Sequence, residues 1–589
     1  MNNHVLIKRQ EQIIRTLARL TSETRALGTA RAHDIENLTE QFSALFQKLD
    51  KPTARNEDAA SPNEGLQGHW NEPMEQFCPK AEKIIQFSHE IDILKLLAFD
   101  GMDDRHIAIL PAHERTLSWI FAGSASQSST TPQVDFVNWL KSDDPFYWVS
   151  GKPGSGKSTM MKYIYHHPKL REFLSAWAGT NPLVIASFFF WDLGKDALRK
   201  SQLGLLRCIL YQIFRRHPNL MQHALADDSD DIQLSVEYLL QALQCLPAEF
   251  STSDIRYCFL IDGLDEYQGK PADVIQLIEI LRSLPHVKLI VSSRPWNDFE
   301  KVFGEHDDRK IYMERLTRSD IDSYVWDTFD HDPSFREMQE IDGEECLALI
   351  TEIVNSANGG FLWVRLVVQS LLEGITNADR MVDLQKRLRA LPTDLEEFFR
   401  RIVFTVDPFY REQTSKFFQV TIKASATLPL MLYWFIDQDD TQYAMRLAAK
   451  PFSMQATNAR LKQVRKRLNA CCKGLLEVQF YDTGDVTNSS LSSSVLFNWK
   501  VDFLHRTARD FLLTESMQKQ LDEWTPSEFS VDAAICTAIL AQVKSAPQEE
   551  EYPRQDGPVE RLVRVPEHHD AAPTSALGHP STRDSPCLV

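Results

Sequence analysis

The run Gly151-Lys152-Pro153-Gly154-Ser155-Gly156-Lys157-Ser158 constrains this chain more than any other feature. It follows an apolar segment, Tyr147-Trp148-Val149-Ser150, and opens onto Thr159, Met160, Met161 and Ile164 at helical spacing. A strand, a glycine-bearing turn and a helix in that order build a P-loop. Glycines let the backbone wrap a phosphate with its N–H groups turned inward, and the helix beginning near Lys157 adds its positive end. Lys157 is then the mobile cation for the β- and γ-phosphates, Ser158 the hydroxyl for Mg²⁺, and Thr159 a further phosphate donor. A chance match in a glycine-rich turn would not come with a strand before it and a helix after it.

A phosphate cradle needs a carboxylate to hold its metal. Tyr257-Cys258-Phe259-Leu260-Ile261 reads as a buried strand that ends at Asp262, the expected Mg²⁺ ligand alongside Ser158. Asp265 and Glu266 follow one short turn later, and the sequence leaves open which of them orients an attacking water. A third apolar strand, Val287 to Ser292, ends at Ser293-Arg294-Pro295. Arginine at the carboxyl end of a sheet strand projects into the crevice where such sheets bind ligands, so Arg294 is expected to read the γ-phosphate, with pairing to a surface carboxylate as the alternative.

Around this motif, short apolar strands alternate with amphipathic helices, the rhythm of an α/β P-loop NTPase domain with a parallel sheet and helices on both faces. The expected organisation is an N-terminal helical or coiled-coil-like region (1–50), broken near Gly28, and a polar linker (51–80). A helical lead-in (81–133), which includes a Ser/Thr-rich loop from Gly123 to Thr131, precedes the NTPase domain (134–315). A helical domain (316–405), opened by a Thr317/Asp320 cap, and a winged-helix-like domain (406–520) with one hairpin, Leu475–Tyr481 and Val495–Phe503, come next. The acidic, proline-bearing tail (545–589) should be disordered.

With 589 residues, 43% hydrophobic and 25% charged, the chain can fill several cores. Its formal charge of -18 disfavours nucleic acid as a primary partner, and the basic run Arg460 to Arg467 reads as a solvated helix face. Nine scattered cysteines without a CxxC pair suggest a reducing compartment and no zinc site. No export or lipid signal and no membrane span is legible, so a cytoplasmic location is expected.

The trio GKPGSGKST, FLIDGLDEY and LIVSSRP resembles the NACHT family of signal-transducing ATPases, the group of animal NOD-like receptors and fungal heterokaryon-incompatibility proteins. The flanking text AHERTLSWIF, GGFLWVRLVVQSLL and LPTDLEEFFRRI looks like fungal members with a nephrocystin-like NTPase domain, and the resemblance spans roughly Leu94 to Leu513. It implies a switch that is closed with ADP, opens and self-associates with ATP, and passes its output to a protein partner through the N-terminal helices. In the segment Asp502 to Leu512 it implies that His505 touches the β-phosphate of ADP. Two departures stand out: the helix after Gly359-Gly360 lacks the family's adenine-contacting proline, for which Pro392 is a weak substitute, and no repeat array is present. A constitutive P-loop ATPase or kinase, and a nucleotide-binding scaffold without turnover, are the competing readings. ATP is preferred over GTP because no Asn-Lys-x-Asp element reads guanine.

Overall fold

The computed structural model describes residues 3–50, 64–122, 136–193, 196–225, 234–246, 255–305, 309–424, 426–438, 442–480 and 498–546. The Ser/Thr-rich loop and the acidic tail beyond 546 lie outside the described residues.

Five parallel strands form the central sheet: β1 (Phe146–Ser150), β2 (Leu183–Phe189), β3 (Arg256–Asp262), β4 (Val287–Ser293) and β5 (Lys310–Tyr312), in the spatial order β2-β3-β4-β1-β5. These strands read as continuous apolar runs because both faces are covered. Alternation along each strand decides which face a side chain serves. Phe146, Trp148, Tyr257, Phe259, Ile261, Leu289 and Val291 pack under the helices Gln202–Arg216, Val236–Cys245 and Pro271–Ser283. Tyr147, Val149, Cys258, Leu260 and Ile290 pack on the opposite side, against Phe136–Lys141, Lys157–His166 and Pro168–Ala178. The α/β sheet with helices on both faces is thus the architecture that the alternating pattern implied.

The N-terminal helices Asn3–Leu27 and Ala32–Asp50 break at Gly28, which has φ +59°, and share a small core with a third helix. Leu17, Leu20, Ile35, Leu38 and Phe42 meet Ile84, Phe87 and Ile91 there, and the buried carboxylate of Glu90 receives two 2.9 Å hydrogen bonds from Arg31. That third helix corrects the expected linker of 51–80 from residue 64 onward, residues 51–63 lying outside the described residues. It starts at Glu64 and runs through Pro73 and Pro79 to Leu97, so polar composition did not mark a break in it.

Past β5 the chain turns helical, with one detail different from expectation. Thr317 occupies the N-cap of the helix Arg318–Asp330 but makes no side-chain cap bond. Asp320 is instead buried, accepting from Leu117 N–H (3.1 Å) and Trp119 Nε1–H (2.8 Å), so it ties the lead-in to the helical domain. In the C-terminal part the hairpin β7 (Leu476–Phe480) and β8 (Trp499–Phe503) gains a strand that the sequence did not disclose, β6 (Leu428–Pro429), giving an antiparallel sheet in the order β6-β8-β7. The sheet lies against helices that include Arg411–Lys423, Leu430–Ile436 and Met454–Cys472. Cations of the basic run are used inside this domain: Arg460 lies over Phe452 (4.1 Å) and Trp434 (4.8 Å), and Arg465 over Trp499 (4.3 Å).

Candidate functional site

Register sets the site. Ser150 of β1 lies beside Ser293 of β4, and Ile261 of β3 beside Val291 of β4, so the chain leaves all three strands at one edge of the sheet. Gly151, Asp262 and Arg294 therefore emerge together, at the carboxyl end where open parallel sheets carry ligands.

Backbone shape makes the turn. Gly154 (φ +71°) and Gly156 (φ +94°) hold left-handed conformations that side chains resist, and Gly156 caps the helix beginning at Lys157. A Cβ on Gly154 would stand 2.7 Å from Leu362 Cβ, because the helix Phe361–Thr376 starts against the turn and its Leu362 N–H donates to Gly154 O at 3.0 Å. Lys157 Nζ donates to the carbonyls of Gly151 (2.7 Å) and Lys152 (3.2 Å). Burial lowers its pKa, the Asp265 carboxylate opposes that, and Arg294 adds to it. The buried Ser155 Oγ makes no hydrogen bond among the described residues. Lys152 points to solvent, while Pro153, Gly154, Gly156, Lys157, Ser158 and Thr159 all border the cavity.

Asp262 is buried and accepts from Ser292 Oγ at 2.5 Å, with Ser158 as a second side-chain donor. Burial pushes its pKa up and these hydroxyls pull it back. Ser292 Oγ also accepts from Gly263 N–H at 2.9 Å, which fixes the turn after β3. Asp262 and Ser158 thus lie side by side and present oxygens of the kind a hard divalent cation takes as part of its ligand shell.

The two acids after Asp262 differ in what they touch. Asp265 is held at both oxygens by Arg294: backbone N–H to Oδ1 at 3.0 Å and Nε to Oδ2 at 2.9 Å. Glu266 accepts from Asp192 N–H at 3.0 Å through Oε2, and its Oε1 faces Arg105 at 3.8 Å. Burial raises the Glu266 pKa while Arg105 lowers it. For Arg294 the carboxylates are Asp265 and, more distantly, Asp510 at 3.8 Å, the second of which comes from the C-terminal domain.

His505 caps the helix Arg506–Leu512, with Nδ1 accepting from Thr507 N–H at 3.1 Å. That bond leaves the proton of the neutral ring on Nε2. Burial, followed by the charges of Arg105, Arg294, Lys157 and Arg506, pushes its pKa down to about 3, so the ring is neutral at physiological pH. It borders the same cavity as the P-loop, about 210 Å³ in volume. Ligand pockets typically measure about 300–1,000 Å³, so this space alone suits a phosphate chain better than a whole nucleotide. An adjoining cavity of about 1100 Å³ shares Ala108, Leu110 and Arg365 with it, which gives room beyond the phosphates. Pro392, the weak candidate for a base contact, accepts from Trp363 Nε1–H through its carbonyl.

Residues 126–294 match the family described as Nephrocystin 3, N-terminal. The vegetative incompatibility protein HET-E-1 of Podospora anserina is 24% identical over 321 residues, 51% of this chain. Together these likenesses support a fungal NACHT-type P-loop domain in this chain. The chain spans 22% of the length of HET-E-1. Behind the NACHT domain, residues 405–553 match a domain of unknown function, DUF7791. Among solved structures, Drosophila ORC bound to DNA overlaps 69% of this chain and 93% of its own at 13% identity and a TM-score of 0.31. The Aeropyrum pernix ORC1 protein in complex with DNA overlaps 65% and 93% at 11% identity and a TM-score of 0.26. Those overlaps are too slight to bear on function.

The NACHT domain also gathers residues that no motif singled out. Arg105 comes from the lead-in, Asp192 from the turn after β2, and Arg506 and Asp510 from the C-terminal domain. Arg506 reaches Asp192 (3.4 Å), the Asp265 carboxylate (3.5 Å) and the Asp265 carbonyl (3.2 Å), and Arg509 reaches Asp192 at 3.6 Å. Arg506 was visible as the residue after His505, but nothing local in the sequence told where it would point. Among the described residues, no helix is long and apolar enough to cross a membrane.

Proposed function

We propose that this chain is a nucleotide-operated signalling switch that binds ATP or ADP with Mg²⁺, hydrolyses ATP slowly, is closed with ADP, and opens and self-associates with ATP. The observation that carries the proposal is a phosphate-sized cavity walled by two domains: the P-loop from one side and His505, with Arg506 beside it, from the other. A ligand there is sensed by both at once, which is what a switch needs.

Lys157 would exchange its two carbonyl partners for phosphate oxygens, and the inward N–H groups of residues 151–159 would cradle them. The unpartnered Ser155 Oγ fits an oxyanion. Ser158 and Asp262 would hold Mg²⁺, which when bound neutralises charge on the phosphates. Glu266 would orient the water, since Asp265 is engaged in holding Arg294 in place. Neutral His505 would donate from Nε2 to the β-phosphate and keep the C-terminal domain shut. Output would pass through the N-terminal helices to a protein partner. The likeness to HET-E-1 favours a role in heterokaryon incompatibility, self/non-self recognition or the cell death that follows it.

The test is to identify the nucleotide that copurifies, exchange it for a non-hydrolysable triphosphate, and measure mass in solution. ADP in the purified protein and a larger assembly with the triphosphate are expected. No nucleotide bound, or no change of mass, would count against the switch. A second reading, binding without turnover, draws on the engagement of Asp265 with two arginines. Single-turnover hydrolysis by wild type that Glu266→Gln abolishes would exclude it.

A further inference from the structure

Some fifty residues ahead of the P-loop, a short helix, Asp104–Ala108, is fixed against the NACHT domain from two sides. Lys162, on the P-loop helix, donates to the carbonyls of His106 (2.7 Å) and Ile109 (2.6 Å). Arg199 binds the Asp104 carboxylate at 2.8 Å, and the His106 ring packs on His166 (4.8 Å) and Phe189 (5.0 Å). Between these anchors Arg105 sends its guanidinium into the phosphate cavity, beside Lys157, Glu266 and His505.

Within that cavity the guanidinium is under-partnered. Its nearest carboxylate, Glu266, is 3.8 Å away, beyond hydrogen-bonding distance, and its buried Nε makes no hydrogen bond among the described residues. A buried donor without an acceptor is costly, and a guanidinium, whose fork matches phosphate oxygens, is recovered best by an anion. Arg294 differs, because its side chain is already bound to Asp265 at 2.9 Å.

We infer that Arg105 reads the terminal phosphate of a bound nucleoside triphosphate, which makes the lead-in helix part of the binding site. The inference rests on the nucleotide reading above and adds to it the means of telling ATP from ADP. Glu266 stands next to Arg105, so the same guanidinium places the terminal phosphate beside the candidate water-orienting carboxylate. A lead-in anchored to the P-loop helix by Lys162 carries this cation without the hinge that would separate it from the P-loop.

The experiment is equilibrium titration of the full chain with fluorescent ATP and ADP analogues in magnesium, for wild type, Arg105→Ala, Arg105→Lys and Lys157→Ala, each checked for its melting temperature. Arg105→Ala is expected to weaken ATP by about 10–100-fold, the loss of a charge-assisted hydrogen-bonded pair. ADP should change by less than about threefold, and Arg105→Lys, a point charge without the fork, should recover part of the loss. Unchanged ATP affinity in Arg105→Ala, or equal loss of ATP and ADP, overturns the inference. If the alanine variant does not fold, Arg105→Lys decides alone: an ATP-to-ADP preference equal to that of wild type overturns the inference. Wild type that binds neither nucleotide overturns the underlying reading as well. Wild type that binds both, and loses both in Lys157→Ala, upholds that reading, so that a failure of the Arg105 variants then counts against Arg105 alone.

Discussion

Replacing Arg506 by alanine cuts the polar seam between the C-terminal domain and the NACHT domain, and its cost can be worked out contact by contact. Arg506 is 16% exposed and Asp265 4% exposed, so their 3.5 Å contact is shielded from water. Asp192 is 26% exposed, which makes its 3.4 Å pair of the weaker surface kind, while Asp510, one turn along the same helix at 3.6 Å, does not cross the seam. Surface pairs contribute about 0.2–1 kcal/mol, and removing one partner of a buried pair costs about 3–5 kcal/mol when the other charge is stranded. Asp265 is not stranded here, because Arg294 remains bound to it at 2.9 Å. The net loss should therefore be about 1–2 kcal/mol, or roughly a 5- to 30-fold shift toward the open form. Release of a fluorescent ADP analogue should accelerate by that factor in Arg506→Ala. Raising salt should speed wild type more than the variant, since only wild type has these charges to screen. In a double-mutant cycle, Asp192→Ala should add less on the Arg506→Ala background than alone. Identical release rates in wild type and Arg506→Ala, with the same salt response, would refute the seam as a closing device.

Three further outcomes follow from the geometry. Gly154→Ala places a Cβ against Leu362 at a left-handed φ, so it should lower the melting temperature by several degrees, on the order of 1–3 kcal/mol, and weaken nucleotide binding; unaltered melting would speak against the close approach. His505 has a folded pKa of about 3 against an ordinary 6.5, so the folded state binds fewer protons between those values. Its stability contribution is complete above pH 6.5 and is lost as pH falls toward 3; His505→Gln should flatten that part of a melting-temperature profile, and a slope identical to wild type would discount the buried neutral ring. Asp320→Ala strands Leu117 N–H and Trp119 Nε1–H and should cost about 1–3 kcal/mol in chemical denaturation, whereas a neutral result would mean that water replaces the carboxylate.

What the sequence disclosed and what it hid divide by range. Asp262 and Arg294 could be read because each sits at the end of an apolar strand, Lys157 because it opens the helix one glycine turn beyond such a strand, and parallel register delivers strand ends to one edge. The second partner of Arg294 could not, since Asp510 comes from a domain whose seat is decided by helix packing rather than by any motif. Arg105 was hidden for the same reason: it lies in a five-residue helix whose position depends on Lys162, far along the chain. Local signals failed where tertiary bonds outweighed them. Asp320 has cap spacing from Thr317 yet binds the lead-in, and Pro73 and Pro79 sit inside a continuous helix. β6 escaped notice because a two-residue strand containing Pro429 carries almost no pattern.

The bond from Leu362 N–H to Gly154 O gives the helical domain a stake in the loop's shape. One peptide unit serves two masters: its orientation helps frame the anion cradle, and its oxygen moors the first turn of the helix Phe361–Thr376. A reshaped cradle must slacken that mooring, so tidings of an arriving phosphate can travel down a helix axis without any side chain relaying them.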